Sequence, residues 1–257
     1  MTGRRWKGMA AAGLAGLGAA GCLRAEPPPP GFVRLSEVAP DIAQDVRYAR
    51  DFNFTGAPVP GYEAAECILT EFTARALIRV EARLAAQGYG LVVWDCYRPV
   101  RAVQTFVAWA ADAASETVTG AGGLTPGAVF FPGIERSELI PQGYIAARSS
   151  HSIGHTVDVG LRRAGAPVVR PDWADATPCT APFAERFAET GLDLGTAFDC
   201  FSPLSAVDAP VSAEARANRR RLAAAMEAEG FRGYSAEWWH FRNHDDPATA
   251  PRDFPVR

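Results

Sequence analysis

The residues of this chain best suited to chemistry lie in two short runs. Three of its four histidines stand in them. One run is Ser149-Ser150-His151-Ser152-Ile153-Gly154-His155-Thr156-Val157-Asp158, and the other is Glu237-Trp238-Trp239-His240. A hydrolytic zinc needs three protein ligands, commonly two imidazoles and a carboxylate, with one position left open for water. It also needs a base beside that water which does not itself bind the metal. His151, Asp158 and His240 have the right types for the ligands, and Glu237 for the base. Gly154 allows the chain to turn after His151, so that Asp158 can return to the same ion from the following strand. Glu237 precedes His240 by three residues, which on a regular strand would place them on opposite faces. A shared site therefore calls for a bulge or the start of a strand.

Either run alone says little. A histidine followed seven residues later by an aspartate is ordinarily a capped turn and a solvated carboxylate, and an isolated Glu-x-x-His pair is common by chance. His155 is expected as a wall or supporting residue. His244, in the polar stretch Asn243-His244-Asp245-Asp246, is expected on the surface.

Three helices and three strands must position these groups. Thr70 can cap a helix from Glu71 to Gln87, whose stripe is Phe72, Leu77, Ile78, Val80 and Leu84, with Gly88 as its stop. Pro99 suits the first turn of a second helix carrying Val103, Phe106, Val107 and Ala110. Ser212 can cap a third, ending near Glu229 before Gly230. Leu91 to Cys96, Thr156 to Leu161 and Tyr234 to Phe241 read as strands. The stretch from Ser115 to Gly133, rich in Gly and Thr, reads as loop. Helices and strands do not alternate regularly, so the pattern predicts an α+β fold with a small, mostly antiparallel sheet.

The first thirty residues read as processing sequence. Arg4, Arg5 and Lys7 precede an apolar run from Met9 to Gly21, too short and too rich in Gly and Ala for a membrane span. Ala19-Ala20-Gly21-Cys22 resembles a bacterial lipoprotein signal, with Ala19 where that signal usually has Leu. Pro27 to Pro30 reads as a stiff spacer. The expectation is an exported, periplasmic protein, touching membrane only through a lipid on Cys22, with one domain over residues 31–257. The chain has 257 residues and a formal net charge of -3 with no basic run, which argues against nucleic-acid binding.

Taken together the motifs are specific. Ser-x-His-x-x-Gly-x-x-x-Asp followed by Glu-x-Trp-His resembles the D-alanyl-D-alanine dipeptidases, within the wider zinc D,D-peptidase and hedgehog-like group. The likeness continues through Arg47-Tyr48-Ala49, Asn53-Phe54-Thr55-Gly56, Asp95-Cys96-Tyr97-Arg98-Pro99, Gly195-Thr196-Ala197-Phe198-Asp199 and Asp253-Phe254-Pro255-Val256. The resemblance implies one zinc on His151, Asp158 and His240, with Glu237 as base and proton shuttle. It implies that Arg98 stabilises the oxyanion, and that Tyr48, Ser149 and Asp199 line a pocket for a small dipeptide. Asp199 would meet the substrate's free ammonium. A carboxypeptidase acting on peptidoglycan stems and a non-catalytic zinc-stabilised module remain as alternatives, the second disfavoured by the presence of both Glu237 and Arg98.

Two departures from the family pattern stand out. Thr156 replaces the usual Ala, and residues 162–192 form a longer connection than expected, one that could cover the pocket or alter its depth. Apart from Cys22, the four cysteines at 67, 96, 179 and 200 suit two disulfides in an oxidising compartment. Spacing alone leaves three pairings open. Cys67–Cys96 with Cys179–Cys200 is the expected set, tying the first helix to the strand before Arg98 and closing the inserted segment.

Overall fold

Capping and turn chemistry set the helix boundaries. The Thr70 side chain accepts from the Thr73 N–H, and that of Ser212 from the Ala215 N–H, each satisfying an N–H that the first turn leaves unpaired. The computed structural model describes residues 1–3, 26–112 and 123–257. The apolar leader run and Cys22 lie outside the described residues, as does part of the 115–133 stretch.

In chain order the elements are β1 (Phe32–Arg34), α1 (Leu35–Val38), β2 (Ala43–Gln44), β3 (Ile68–Thr70), α2 (Glu71–Ala85) and β4 (Tyr89–Asp95). There follow α3 (Val100–Ala111), α4 (Pro126–Phe130), β5 (Thr156–Arg163), α5 (Ala213–Glu227), β6 (Phe231–Tyr234) and β7 (Glu237–Asn243). Among the described residues the strands form a β1–β3 ribbon and a five-stranded sheet ordered β2-β4-β5-β7-β6. Only the β2–β4 pair in that sheet is parallel. The fold is α+β, as the sequence predicts.

Two expectations need correction. Part of the stretch read as loop forms α4, because Thr125 caps it, Pro126 fits its first turn, and Val129 and Phe130 are buried. The single strand expected over 234–241 is the arm of a hairpin, β6 turning at Ser235 and Ala236 into β7.

The sheet is covered on both faces, so β4 and β5 are buried along nearly their whole length. Val157, Val159 and Leu161 pack with Leu77, Val80 and Leu84 of α2 and with Leu222 and Met226 of α5. Each such fully buried aliphatic side chain is worth about 1.5–3 kcal/mol. On the other face, Trp94 lies against Gly160, where an added Cβ would approach its ring to 2.2 Å. Trp94 also stacks on Phe198. An aromatic cluster around Phe52, Phe54, Phe106 and Phe130 closes the far side.

From the inserted residues 162–192, Trp173, Cys179 and Phe187 belong to this cluster. Trp173 and Phe187 stand 4.8 and 5.0 Å from the Phe52 ring, centroid to centroid. Both expected disulfides, Cys67–Cys96 and Cys179–Cys200, are formed, with sequence separations of 29 and 21. Loops of that size contribute about 3 kcal/mol each through the unfolded state. Titration of denatured, unreduced protein is therefore expected to find no reactive thiol among these four cysteines. Four reactive thiols would overturn the pairing.

Candidate metal centre and active site

Strand register brings the ligand residues together. Asp95 on β4 pairs with Asp158 on β5, and Asp158 pairs with His240 on β7, so three polar residues form one row across neighbouring strands. His151 arrives from a short 3-10 turn, Ser150–Ile153, whose first N–H groups the Ser149 hydroxyl helps to satisfy by accepting from the His151 N–H. Gly154 follows in the left-handed region at φ 89°, and a Cβ there would meet Phe32 at 2.4 Å. That residue must be glycine, as the turn from His151 into β5 requires.

Glu237 shares the site because β7 is irregular on the side facing β6. The pairing steps from Gly233↔Phe241 to Tyr234↔Glu237, leaving Trp238, Trp239 and His240 without partners on β6. Glu237 is also the first residue of its strand. Its Oε2 lies 3.7 Å from His240 Nδ1.

His151 Nε2, His240 Nδ1 and Asp158 Oδ1 form a nearly equilateral triangle. The two nitrogens are 3.2 Å apart, and Asp158 Oδ1 is 3.3 Å from His151 Nε2 and 3.2 Å from His240 Nδ1. Three ligands of a tetrahedral ion, each about 2.0–2.1 Å from it, must lie about 3.3–3.4 Å from one another. The donor set thus fits a zinc-sized cation. Asp158 Oδ1 is buried yet receives no hydrogen bond, as expected of an oxygen whose lone pairs serve a metal. His151 Nδ1 lies 2.7 Å from the Cys96 carbonyl, which fixes the ring with Nδ1–H donating and Nε2 directed into the triangle. Burial opposes the Asp158 charge, but His151 and His240 outweigh it and hold the carboxyl well below the usual carboxylate range.

Around the triangle is a cavity of about 230 Å³, lined by Tyr48, Arg98, Ser149, Asp199, Glu237 and Trp239 among others. Drug-sized ligands usually occupy about 300–1,000 Å³, so this space suits something nearer a dipeptide. Every site residue expected from the sequence lines it, with the metal triad.

Arg98 is fixed from several sides. Its Nε donates to Asp95 Oδ2 at 2.9 Å, its Nη2 lies 3.5 Å from Asp158 Oδ2, and its guanidinium sits 5.1 Å from the ring centres of both Tyr48 and Phe106. Burial works against its charge, but Asp95 and its other neighbours keep the pKa well above the ordinary arginine value.

Asp199 has a positive φ of 60°, and its Oδ2 accepts from the Tyr48 hydroxyl at 2.8 Å. Burial, reinforced by the charge of Asp158, pushes its carboxyl up to about 8, and the bond from Tyr48 and the cation of Arg98 only partly oppose this. Glu237 is raised by burial to about 7, with His240 pulling the other way and Asp158 adding to the rise. A carboxyl titrating near neutrality is suited to taking up and returning a proton.

Three placements differ from or extend the sequence reading. His155 is buried but does not line the cavity; its Nδ1 is 3.1 Å from Thr156 Oγ1, a contact that an alanine at that position would lack. Burial pushes that imidazole down to about 4, so it is neutral. His244 is exposed, as expected. The insertion does not cover the pocket, because no residue of 162–192 lines the cavity. Asp95 went without a role in the sequence reading. It is completely buried, accepts from Tyr62 at 2.6 Å and from Arg98, and lies 3.4 Å from His151 Nδ1. Its place in Asp95-Cys96-Tyr97-Arg98, three residues before the arginine, was the available signal.

A cation-sized triangle of two imidazoles and a carboxylate, with a half-buried carboxyl and a fixed guanidinium beside it, is the equipment of a metal-dependent hydrolase. The sequence model of the D-ala-D-ala dipeptidase family matches residues 29–169 and 185–256, leaving out part of the insertion. A D-alanyl-D-alanine dipeptidase of Enterococcus faecium is 36% identical over 229 residues, covering 88% of this chain and 98% of its own. One from Enterococcus faecalis is 36% identical over 220 residues, covering 84% and 93%. A third, from Streptomyces coelicolor, is 35% identical over 227 residues, covering 88% and 98%. The chain belongs to the D-ala-D-ala dipeptidase family, a group of metallopeptidases.

Proposed function

We propose that this protein uses zinc to hydrolyse D-Ala-D-Ala, or a closely related D,D-dipeptide of cell-wall turnover, to free amino acids. The observation that carries this reading is the Tyr48–Asp199 pair buried in the same small cavity as the ligand triangle, Glu237 and Arg98. A zwitterionic dipeptide can place its ammonium on Asp199 while its peptide carbonyl reaches the triangle. The ammonium, and a cation beside Asp158, both oppose the rise in the Asp199 pKa and favour its ionised form.

Zinc held by His151, Asp158 and His240 would supply a Lewis acid for the peptide carbonyl and lower the pKa of water. Glu237 takes the proton from water as its oxygen attacks the carbonyl carbon. Arg98, held against Asp95, faces the oxygen on which negative charge grows, and it needs no rearrangement to do so. Glu237 then gives the proton to the departing amine nitrogen as the C–N bond breaks. Tyr48 remains a neutral donor throughout, since burial and Asp199 hold its hydroxyl well above the ordinary tyrosine range.

The test is selectivity at the amino end. Acetylation removes the charge that Asp199 would pair with, and a hydrogen bond to a charged group is worth about 1.5–3 kcal/mol. N-acetyl-D-Ala-D-Ala is expected to show a kcat/KM at least about tenfold below that of D-Ala-D-Ala. Asp199→Ala should narrow the gap, mainly by harming the free dipeptide. Equal values on the unmodified enzyme would replace this reading with that of a carboxypeptidase.

A further inference from the structure

We propose that Glu189, in the long connection over residues 162–192, is a positioning residue for the amino-end subsite, which it sets through the backbone at Asp199. The inference rests on the dipeptidase reading, because it assigns Glu189 to the subsite that reading gives to the substrate ammonium.

The observation is a closed circuit of contacts between two pairs of chain neighbours. Tyr48 donates to Asp199 at 2.8 Å. Their neighbours, Arg47 and Phe198, are joined through Glu189. Arg47 Nη2 donates to Glu189 Oε2 at 2.7 Å, and the Phe198 N–H donates to Glu189 Oε1 at 3.3 Å. The Arg47 side chain is 1% exposed and that of Glu189 7%, so the carboxylate, which also feels the charge of Arg186, bonds these two partners while kept from water. The Arg47 guanidinium also lies 5.9 Å from the Phe198 ring centre.

Asp199 requires such support. It is the one non-glycine residue with positive φ among the described residues. A side chain in the left-handed region persists only where its surroundings over-determine the backbone. The insertion supplies three restraints around it. Glu189 holds the Phe198 N–H, the Cys179 carbonyl accepts from the Ala197 N–H at 3.0 Å, and Cys179 is bonded to Cys200. The insertion thus touches the residues on both sides of Asp199 while contributing nothing to the cavity wall. Its effect on the site is exerted through Asp199.

An ammonium contact is made equally in the ground state and the transition state. Misplacing its acceptor should therefore raise KM and leave kcat nearly unchanged. Glu189→Gln keeps the length of the side chain but weakens both bonds, while Arg47 retains its partner Asp45 at 2.7 Å. Wild type, Glu189→Gln, Asp199→Ala and the double variant are compared on D-Ala-D-Ala and its N-acetyl form, with zinc content and unfolding midpoint measured alongside. For Glu189→Gln we expect KM for the free dipeptide to rise about tenfold, the scale of one hydrogen bond to a charged group. kcat should stay within about twofold, kcat/KM for the acetylated form should be unchanged, and no further loss should appear in the Asp199→Ala background. Equal losses on both substrates, or effects that multiply in the double variant, would overturn the assignment. A wild-type enzyme that does not distinguish the two substrates would overturn it differently, by removing the ammonium subsite itself. Should Glu189→Gln fail to fold, Glu189→Asp is read in the same assay. It keeps the charge beside Arg47 but is too short to reach the Phe198 N–H as well, and it should show the same KM shift.

Discussion

Glu237→Gln is expected to keep its bound metal and lose at least about a hundredfold in kcat, the usual scale for removing an acid–base group. The amide matches the carboxylate in size, so Trp238, Trp239 and the irregular start of β7 can stay as they are. The metal triangle does not include Glu237, whose Oε2 is 3.7 Å from His240 Nδ1 and which stands outside the set of mutually close ligand atoms. What the variant loses is a proton acceptor. On the proposed mechanism the same group returns the proton to the leaving amine, so both halves of the reaction should suffer and KM should change far less than kcat. Metal analysis beside steady-state kinetics provides the check. Loss of stoichiometric zinc in Glu237→Gln would make Glu237 a ligand and require a different base.

The site was legible in the sequence where its chemistry depends on side chains close together in the chain, and illegible where distant segments meet. His151, Gly154 and Asp158 lie within one turn and one strand, so their residue types and spacing allow a shared ion, and the second run with His240 made that reading specific. The need for a bulge before His240 followed from period-two geometry, and the skipped pairing between Gly233 and Tyr234 supplies it. Thr70 and Ser212 announced helix starts because capping is local. The hairpin at Ser235 and Ala236 was missed because an aromatic-rich run reads as one strand when its turn lacks glycine, proline or asparagine. The helix Pro126–Phe130 was missed because five residues carry too little periodicity to be seen among glycines and threonines. Beyond the nearness of Asp95 to Arg98, the contacts of Asp95 with His151 and of Arg47 with Glu189 could not be read locally. The row of Asp95, Asp158 and His240 exists only once three strands are in register, and Glu189 is 142 residues from Arg47. The effect of the insertion was misjudged for a related reason. Trp173 and Phe187 have the bulk to cover a pocket, but Phe52 and Phe130 offer them a core to fill instead.

His151→Ala and His240→Ala are each expected to abolish stoichiometric zinc binding, and activity with it. Two ligands of the triangle would remain in either case, and a site short of one neutral imidazole loses both a bond and the geometry that excludes other ions. The two variants should nevertheless differ in stability. His151 is 1% exposed, its Nδ1 is bonded to the Cys96 carbonyl, and it adjoins the fully buried Asp95. Removing that ring leaves a buried carbonyl without its donor, at about 1–3 kcal/mol, and opens a void beside the Cys67–Cys96 bridge. The His240 side chain is 20% exposed at the cavity rim, so its loss can be met by solvent. With metal chelated from all samples, His151→Ala should unfold at a clearly lower temperature than wild type, and His240→Ala near it. Elemental analysis still finding one zinc per chain in either variant would refute the ligand assignment. Equal destabilisation of both apo variants would mean that the Cys96 carbonyl does not rely on His151 for its bond.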